Sequence, residues 1–169
     1  MTDPVKRIFI VGHSGAGKAI LAHTLAKKLN WQFIDADFSL TPTIGRSLSE
    51  VLSVDGEKSF QHCLSAILIH QISKENVVIT TDDSIILNAE NRQKLSEQFT
   101  VYADVSVSVQ FNRISQNRPL LPVDDYQAFL EKLHKERDSL YEEVASLEIL
   151  TDDGDLDGHV SRIIEAIEK

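Results

Sequence analysis

Cysteine is nearly absent from this 169-residue chain: Cys63 stands alone, which excludes an internal disulfide. Its place in an apolar helical pattern predicts a small buried hydrophobe. No apolar run approaches the roughly 18 residues of a membrane span, and the N-terminus lacks a signal-peptide core. A soluble cytoplasmic protein with no membrane partner is therefore expected. Basic charge is also scarce, with 17 Lys and Arg against 26 Asp and Glu and a net charge of −9. Nucleic acid would have to bind against that field, and no basic stripe with interleaved aromatics relieves it, so no nucleic acid partner is expected. The six histidines, His13, His23, His62, His70, His134 and His159, are scattered. Without a pair at ligand spacing or a cysteine cluster they do not suggest a metal site. The length implies one domain, residues 1–169, with a sizeable core.

Glycine is sparse too, and three of the seven sit in one segment, Gly12-His-Ser-Gly-Ala-Gly-Lys18-Ala19. This matches the phosphate-binding loop G-x-x-x-x-G-K-[ST] through its lysine and departs from it at the last position. In that motif successive backbone N–H groups curl around phosphates, the lysine reaches the β and γ oxygens, and the hydroxyl ligates Mg²⁺. The expected contacts for ATP or ADP are Gly12, His13, Gly15, Ala16, Gly17, Lys18 and Ala19. His13 sits inside the loop, where it would line the nucleotide site. Because Ala19 carries no hydroxyl, the Mg²⁺ site is expected to be weakened. The context fits: Arg7 to Val11 reads as a buried strand, and Lys18 to Leu29 as a helix whose N-terminus would face the anion.

Further along, Trp31 to Asp35 reads as a short strand, and Ser47 to Leu52 and Glu57 to Ile72 as helical segments around the Asp55-Gly56 turn. Asn76 closes a helix, Val77 to Thr80 is a buried strand, Ala89 to Glu97 a helix, Thr100 to Val105 a strand and Ser106 to Ile114 a helix. A long amphipathic helix follows from about Asp125 to Ala145, then a strand over Leu147 to Leu150, the Asp152-Asp-Gly-Asp turn and a closing helix over His159 to Glu168. Strands alternating with helices imply a parallel sheet covered on both faces, with the ligand site at the strands' carboxyl ends. The polar stretch from Ser115 to Asp125, with Pro119 and Pro122, is long for a helix connection. It reads either as part of a lid over 113–125, carrying Arg113 and Arg118 toward phosphates, or as a solvated linker. The apolar strand ending in Asp82-Asp83 resembles a Walker B pattern. Either Asp82 or Asp83 supplies a metal contact that Ala19 no longer makes, or the two are solvated turn residues.

In order and spacing, these residues resemble the shikimate kinase family from the first strand to about Ile149. The marks are the loop itself, Phe33-Ile-Asp35-Ala-Asp37, Gly56-Glu57 followed by Phe60, Glu90-Asn-Arg92, Arg118-Pro-Leu-Leu121, and Arg137 before Leu140-Tyr-Glu-Glu-Val-Ala145. The resemblance implies a three-layer α/β/α P-loop NTPase fold with a five-stranded parallel sheet, and transfer of the ATP γ-phosphoryl group to the 3-hydroxyl of shikimate. It implies Lys18 for the phosphates, Asp35 for the Mg²⁺ shell, Asp37 for substrate hydroxyls, Arg118 for the transferred phosphoryl and Arg137 for the substrate carboxylate. With Asp82 added from the strand-end pattern, the expected metal residues are Asp35 and Asp82. The departures are Ala19; Gln61, where the family has a carboxylate-gripping arginine; Leu64 for an acidic residue; Asp82-Asp83-Ser84 for a triple glycine; and no evident nucleotide-side arginine after the last strand.

Losing one charge-assisted contact costs about 1.5 to 3 kcal/mol, and the added carboxylates repel an anionic acceptor. A degenerate member with weak or no shikimate phosphorylation is therefore expected. The alternative is an active ATP-dependent small-molecule kinase acting on shikimate or another hydroxyl acceptor. A degenerate member would leave room for a protein partner.

Overall fold

The computed structural model describes residues 4–37, 56–115 and 123–168. Five strands form one parallel sheet in the order β2-β3-β1-β4-β5. They are β1 (Arg7–Val11), β2 (Gln32–Ala36), β3 (Val77–Thr81), β4 (Phe99–Asp104) and β5 (Leu147–Leu150). Among the described residues the helices are α1 (Lys18–Leu29), α2 (Gly56–Ile72), α3 (Ala89–Ser96), α4 (Val107–Ser115), α5 (Val123–Val144) and α6 (Leu156–Glu168). This is the three-layer α/β/α architecture expected from the alternation of elements.

Strand alternation divides the core in two. Ile8 and Ile10 of β1 pack with Leu21 and Leu25 of α1 and with Val160 and Ile163 of α6. Phe9 and Val11 point the other way, toward Leu68 of α2, Leu95 of α3, and Tyr141 and Val144 of α5. Burial on both faces explains why the central strands read as unbroken apolar runs. At the edge of the sheet β5 buries only Ile149.

Several boundaries differ from the sequence reading for identifiable reasons. Helix α6 starts at Leu156, three residues before His159, because the Asp155 carboxylate accepts from the Gly158 N–H at 3.2 Å as an N-cap. Helix α2 stops at Ile72; Asn76 instead takes φ 57° and its N–H donates to the Lys6 carbonyl at 2.6 Å, leading the chain into β3. A single 3-10 turn over Ile85–Leu87 was not anticipated, and it buries Ile85 and Ile86. Cys63 is exposed rather than buried. The inward stripe of α2 runs through Leu64, Leu68 and Gln71, and one residue's offset turns a side chain about 100° away from it.

Arg113 belongs to α4, and 123–125 open α5. Of the lid expected over 113–125, the stretch 116–122 with Arg118 lies outside the described residues, as does the helix expected over Ser47 to Leu52.

Candidate functional site

The loop between β1 and α1 lies at the carboxyl end of the sheet, where a parallel fold places its ligands. Gly12 has φ 150°, and a Cβ there would sit 2.5 Å from the Ala103 carbonyl oxygen, so the loop presses against β4 as only glycine allows. Gly15 and Gly17 also have positive φ. Gly17 is the N-cap of α1, which has no side-chain cap and no acidic residue in its first turn. The helix therefore keeps its N-terminal N–H groups for an outside anion.

Lys18 is 3% exposed. Its Nζ donates to the carbonyls of Gly12 at 2.7 Å and His13 at 3.0 Å, and it pairs with Asp37 Oδ2 at 3.2 Å. Ala19 is exposed at the start of α1.

Across from Lys18, the ends of β2 and β3 converge as a carboxylate trio: Asp37, Asp82 and Asp83 each place an oxygen within 4.8 Å of the others. Of the expected metal pair, the structure unites Asp82 with Asp37 and Asp83. Asp35 is not in that group, because its Oδ1 already accepts from Thr80 Oγ1 at 2.7 Å and from the Asp37 N–H at 3.1 Å. The solvated-turn alternative fails for Asp82, which is 3% exposed. Burial, with the neighbouring charges of Asp83 and Asp37, pushes the Asp82 carboxyl up from 3.8 to about 7.

Helix α5 closes this side. Arg137 Nη1 donates to Asp83 Oδ2 at 3.4 Å, and Tyr141 Oη donates to the Asp83 carbonyl at 2.6 Å. Burial first, then the Asp83 charge, pushes the Tyr141 hydroxyl up, keeping it a donor. Gln61 turns to the same segment, its Nε2 donating to the Ser84 carbonyl at 3.2 Å. The Ser84 hydroxyl in turn donates to Asp82 Oδ2 at 3.1 Å.

His13 turns its ring to α5. Its ring is 1% exposed, with Nε2 2.6 Å from Asp138 Oδ1 on α5, and it stacks on His134 at a centroid distance of 3.9 Å. Histidines scattered in sequence are thus paired in space, with only the i,i+4 spacing of His134 and Asp138 as an advance sign. Burial first, then the His134 and Lys18 charges against the Asp138 hydrogen bond, lowers His13 from 6.5 to about 4.

Between pH 6.5 and 4 the unfolded chain thus binds a proton that folded His13 refuses, so this contribution to stability is present above pH 6.5 and lost as pH falls toward 4. The shift corresponds to about 3 kcal/mol. The stability difference between the wild type and His13→Leu is expected to widen by about that amount from pH 4 to 6.5 in urea unfolding. A difference independent of pH would refute it.

A cavity of about 320 Å³ opens behind the loop, lined by Ala16, Gly17, Leu21, Arg113, Thr151 and Leu156. Arg113 donates to the carbonyls of Gly15 at 3.3 Å and Thr151 at 2.6 Å, and Thr151 Oγ1 donates to the Ala16 carbonyl at 2.8 Å. Arg113 therefore braces the loop from α4. Neither Thr151 nor the bracing role of Arg113 was legible in the sequence, since both depend on β5 ending beside the loop.

Comparison with known proteins identifies the family. The shikimate kinase family profile matches residues 14–168. The shikimate kinase of Halorhodospira halophila is 36% identical over 165 residues, covering 96% of this chain and 93% of that protein. That of Vibrio parahaemolyticus is 33% identical, with 97% of each chain covered. Among solved structures, the shikimate kinase from Acinetobacter baumannii in complex with shikimate superposes with a TM-score of 0.81 at 31% identity, covering 96% of this chain and 93% of the other. The enzyme from Bacteroides thetaiotaomicron superposes with a TM-score of 0.84 at 26% identity, covering 97% and 99%. With the family profile matched over residues 14–168 and relatives 33% to 36% identical over nearly the whole chain, this chain belongs to the shikimate kinase family.

Proposed function

We propose that this chain binds ATP or ADP through a phosphate loop that keeps its motif up to Lys18, and is a divergent member for which shikimate is a poor acceptor. The observation that carries this reading is Asp83: its carboxylate stands on the Arg137 guanidinium at 3.4 Å, so the chain already supplies the anion that an acidic acceptor would bring. Binding such an acceptor requires breaking that pair and bringing another negative charge beside Asp82 and Asp37. An acceptor hydroxyl on a less anionic molecule meets neither obstacle, and the role of Asp37 toward that hydroxyl is assigned on the resemblance alone.

On the nucleotide side, Lys18 would exchange the Gly12 and His13 carbonyls and the Asp37 carboxylate for β and γ oxygens, and the base would lie in the cavity beside Leu21, Arg113 and Leu156. The trio Asp37, Asp82 and Asp83 offers the oxygen donors that a hard divalent ion takes, and would replace the ligand missing at Ala19. Mg²⁺ bound there would offset charge on the transferring phosphoryl. Asp35, through the hydrogen bonds to its Oδ1, would hold Thr80 and the Asp37 backbone in place. Arg118 is assigned to the transferred phosphoryl on the resemblance alone.

Identity of 33% to 36% over nearly the whole chain to proteins named shikimate kinase favours a second reading, ordinary shikimate turnover. Calorimetric titration with ADP and ATP, with and without Mg²⁺, followed by shikimate and a turnover assay, separates the two. Nucleotide binding with no response to shikimate is the expected result; turnover near 10 s⁻¹, about the median for enzymes, would overturn it. No nucleotide binding would redirect the search to a protein partner.

The substitution Asp83→Ala frees Arg137 and is expected to raise shikimate affinity roughly tenfold or more. Unchanged affinity in the same titration would remove Asp83 as the obstacle.

A further inference from the structure

The side chains of His13, His134 and Asp138 contribute nothing to the proposed contacts with nucleotide, metal or acceptor. Each residue places one donor atom within 4.8 Å of the others, a set that invites a metal ion. The rings, however, are stacked at 3.9 Å with planes only 16° apart. An ion bound by imidazole lies near the ring plane along the nitrogen lone pair, and two stacked rings cannot both direct such a lone pair at one point. A carboxylate suits the stack better, because its two oxygens reach both rings at once: Oδ1 to His13 Nε2 at 2.6 Å and Oδ2 to His134 Nδ1 at 3.2 Å.

Hydrogen-bond roles then settle the protons. Gln110 Nε2 donates to the Ser14 carbonyl at 2.7 Å, which turns Gln110 Oε1 toward His134 Nε2 at 2.8 Å. His134 therefore faces an acceptor at each nitrogen, Gln110 Oε1 and Asp138 Oδ2, a pattern that only the doubly protonated ring satisfies. His13 donates through Nε2 to Asp138, and its buried Nδ1 has no partner, the pattern of the neutral ring. The charged and titratable groups around His13 are Asp138, His134 and Tyr141 on α5, and Lys18 on α1. Behind Asp138, Tyr102 donates from β4 and is itself shared with Asp104.

We propose that Asp138 is a positioning residue for the phosphate loop: its carboxylate, spanning neutral His13 and cationic His134, ties the loop to α5, the helix that also carries Arg137. Both residues after Gly12 are held this way, His13 directly and Ser14 through Gln110 and His134. The His13 carbonyl in turn holds Lys18. Consecutive residues of one helix thus serve the two halves of the site, Arg137 on the Asp83 side and Asp138 on the nucleotide side.

The proposal rests on the nucleotide-binding reading above. The test compares wild type and Asp138→Asn by calorimetric titration with ADP at pH 7, beside thermal unfolding and ¹⁵N-detected imidazole spectra. Asparagine keeps the shape but cannot accept from both rings or balance the imidazolium, so ADP affinity is expected to fall about tenfold or more. A merely structural residue would lower the melting temperature and leave the affinity of the folded protein unchanged. In wild type, His134 should show two protonated nitrogens and His13 only Nε2–H. If Asp138→Asn does not fold, His134→Ala takes its place, with roughly a fivefold or greater loss of ADP affinity expected.

ADP affinity within twofold of wild type in the variant, or a neutral His134 in wild type, overturns the proposal. Wild type that binds no ADP overturns the nucleotide reading and this proposal with it, whereas equal binding by wild type and variant overturns the proposal alone.

Discussion

Replacing Asp82 with asparagine is expected to stabilise the nucleotide-free protein at pH 8 by about 2 to 4 kcal/mol, against the usual direction for a buried substitution. The carboxyl is buried beside two others, and its pKa rises from 3.8 to about 7. Between those values the folded state binds a proton that the unfolded chain has released. Stability from this group is therefore full below pH 3.8, declines as pH rises, and is lost above about pH 7.

Asparagine keeps an acceptor for the Ser84 hydroxyl and carries no charge, so its advantage should grow through that window and shrink toward zero at pH 4. Urea unfolding of both proteins from pH 4 to 8 measures it. In a chain of this length the gain corresponds to a melting temperature about 5 to 10 °C higher. A variant no more stable than wild type at pH 8 would mean that the trio carries no such strain. A carboxylate kept at this cost belongs to a site rather than to the core. In the proposed Mg²⁺ role, the same substitution should remove the Mg²⁺ dependence of nucleotide binding.

The substitution Lys18→Met is expected to cost the empty protein about 3 kcal/mol at pH 8 and ADP affinity roughly a hundredfold. The first figure rests on the contacts that Lys18 makes in the empty loop. Bringing a lone buried cation into a loop without phosphate is unfavourable, and its removal should relieve strain. Here the ammonium is satisfied by two carbonyls and by Asp37, whose side chain is 12% exposed. Removing it leaves Asp37, Asp82 and Asp83 with the Arg137 guanidinium, 3.4 Å from Asp83, to offset their charge. Methionine preserves the volume, so the loss reports charge rather than packing. Unfolding and ADP titration of the same preparation check both figures. Lost ADP affinity with unchanged stability would show that the resting contacts of Lys18 contribute nothing.

Much of the architecture was legible in advance because its signals are local. Arg7–Val11 and Val77–Thr81 are apolar runs buried on both faces, and the glycines of the loop answer to backbone conformations that each residue states for itself. Even the misplaced start of α6 had a sign in Asp155, a capping residue at the right offset. Cys63 went wrong because an apolar neighbourhood does not say which side of a helix faces inward. The 3-10 turn at Ile85 exists because the segment after β3 is gathered by Gln61, Asn91 and Tyr141, residues from three different helices.

The family and the nucleotide half follow from contiguous residues, since a phosphate loop is assembled from neighbours in the chain and its chemistry is carried by backbone amides and one lysine. The acceptor half was readable only as substitutions. What those substitutions do, with Asp83 satisfying Arg137, Asp82 buried beside Asp37 and Asp35 committed to Thr80, depends on residues brought together from β2, β3 and α5. The stack of His13 and His134 on Asp138 spans 125 positions of chain. Local propensity and motif spacing act over a few residues, whereas charge neutralisation and burial act over a few ångströms of space; the first determined the fold and the loop, and only the packed sheet and its helices decided which charges meet.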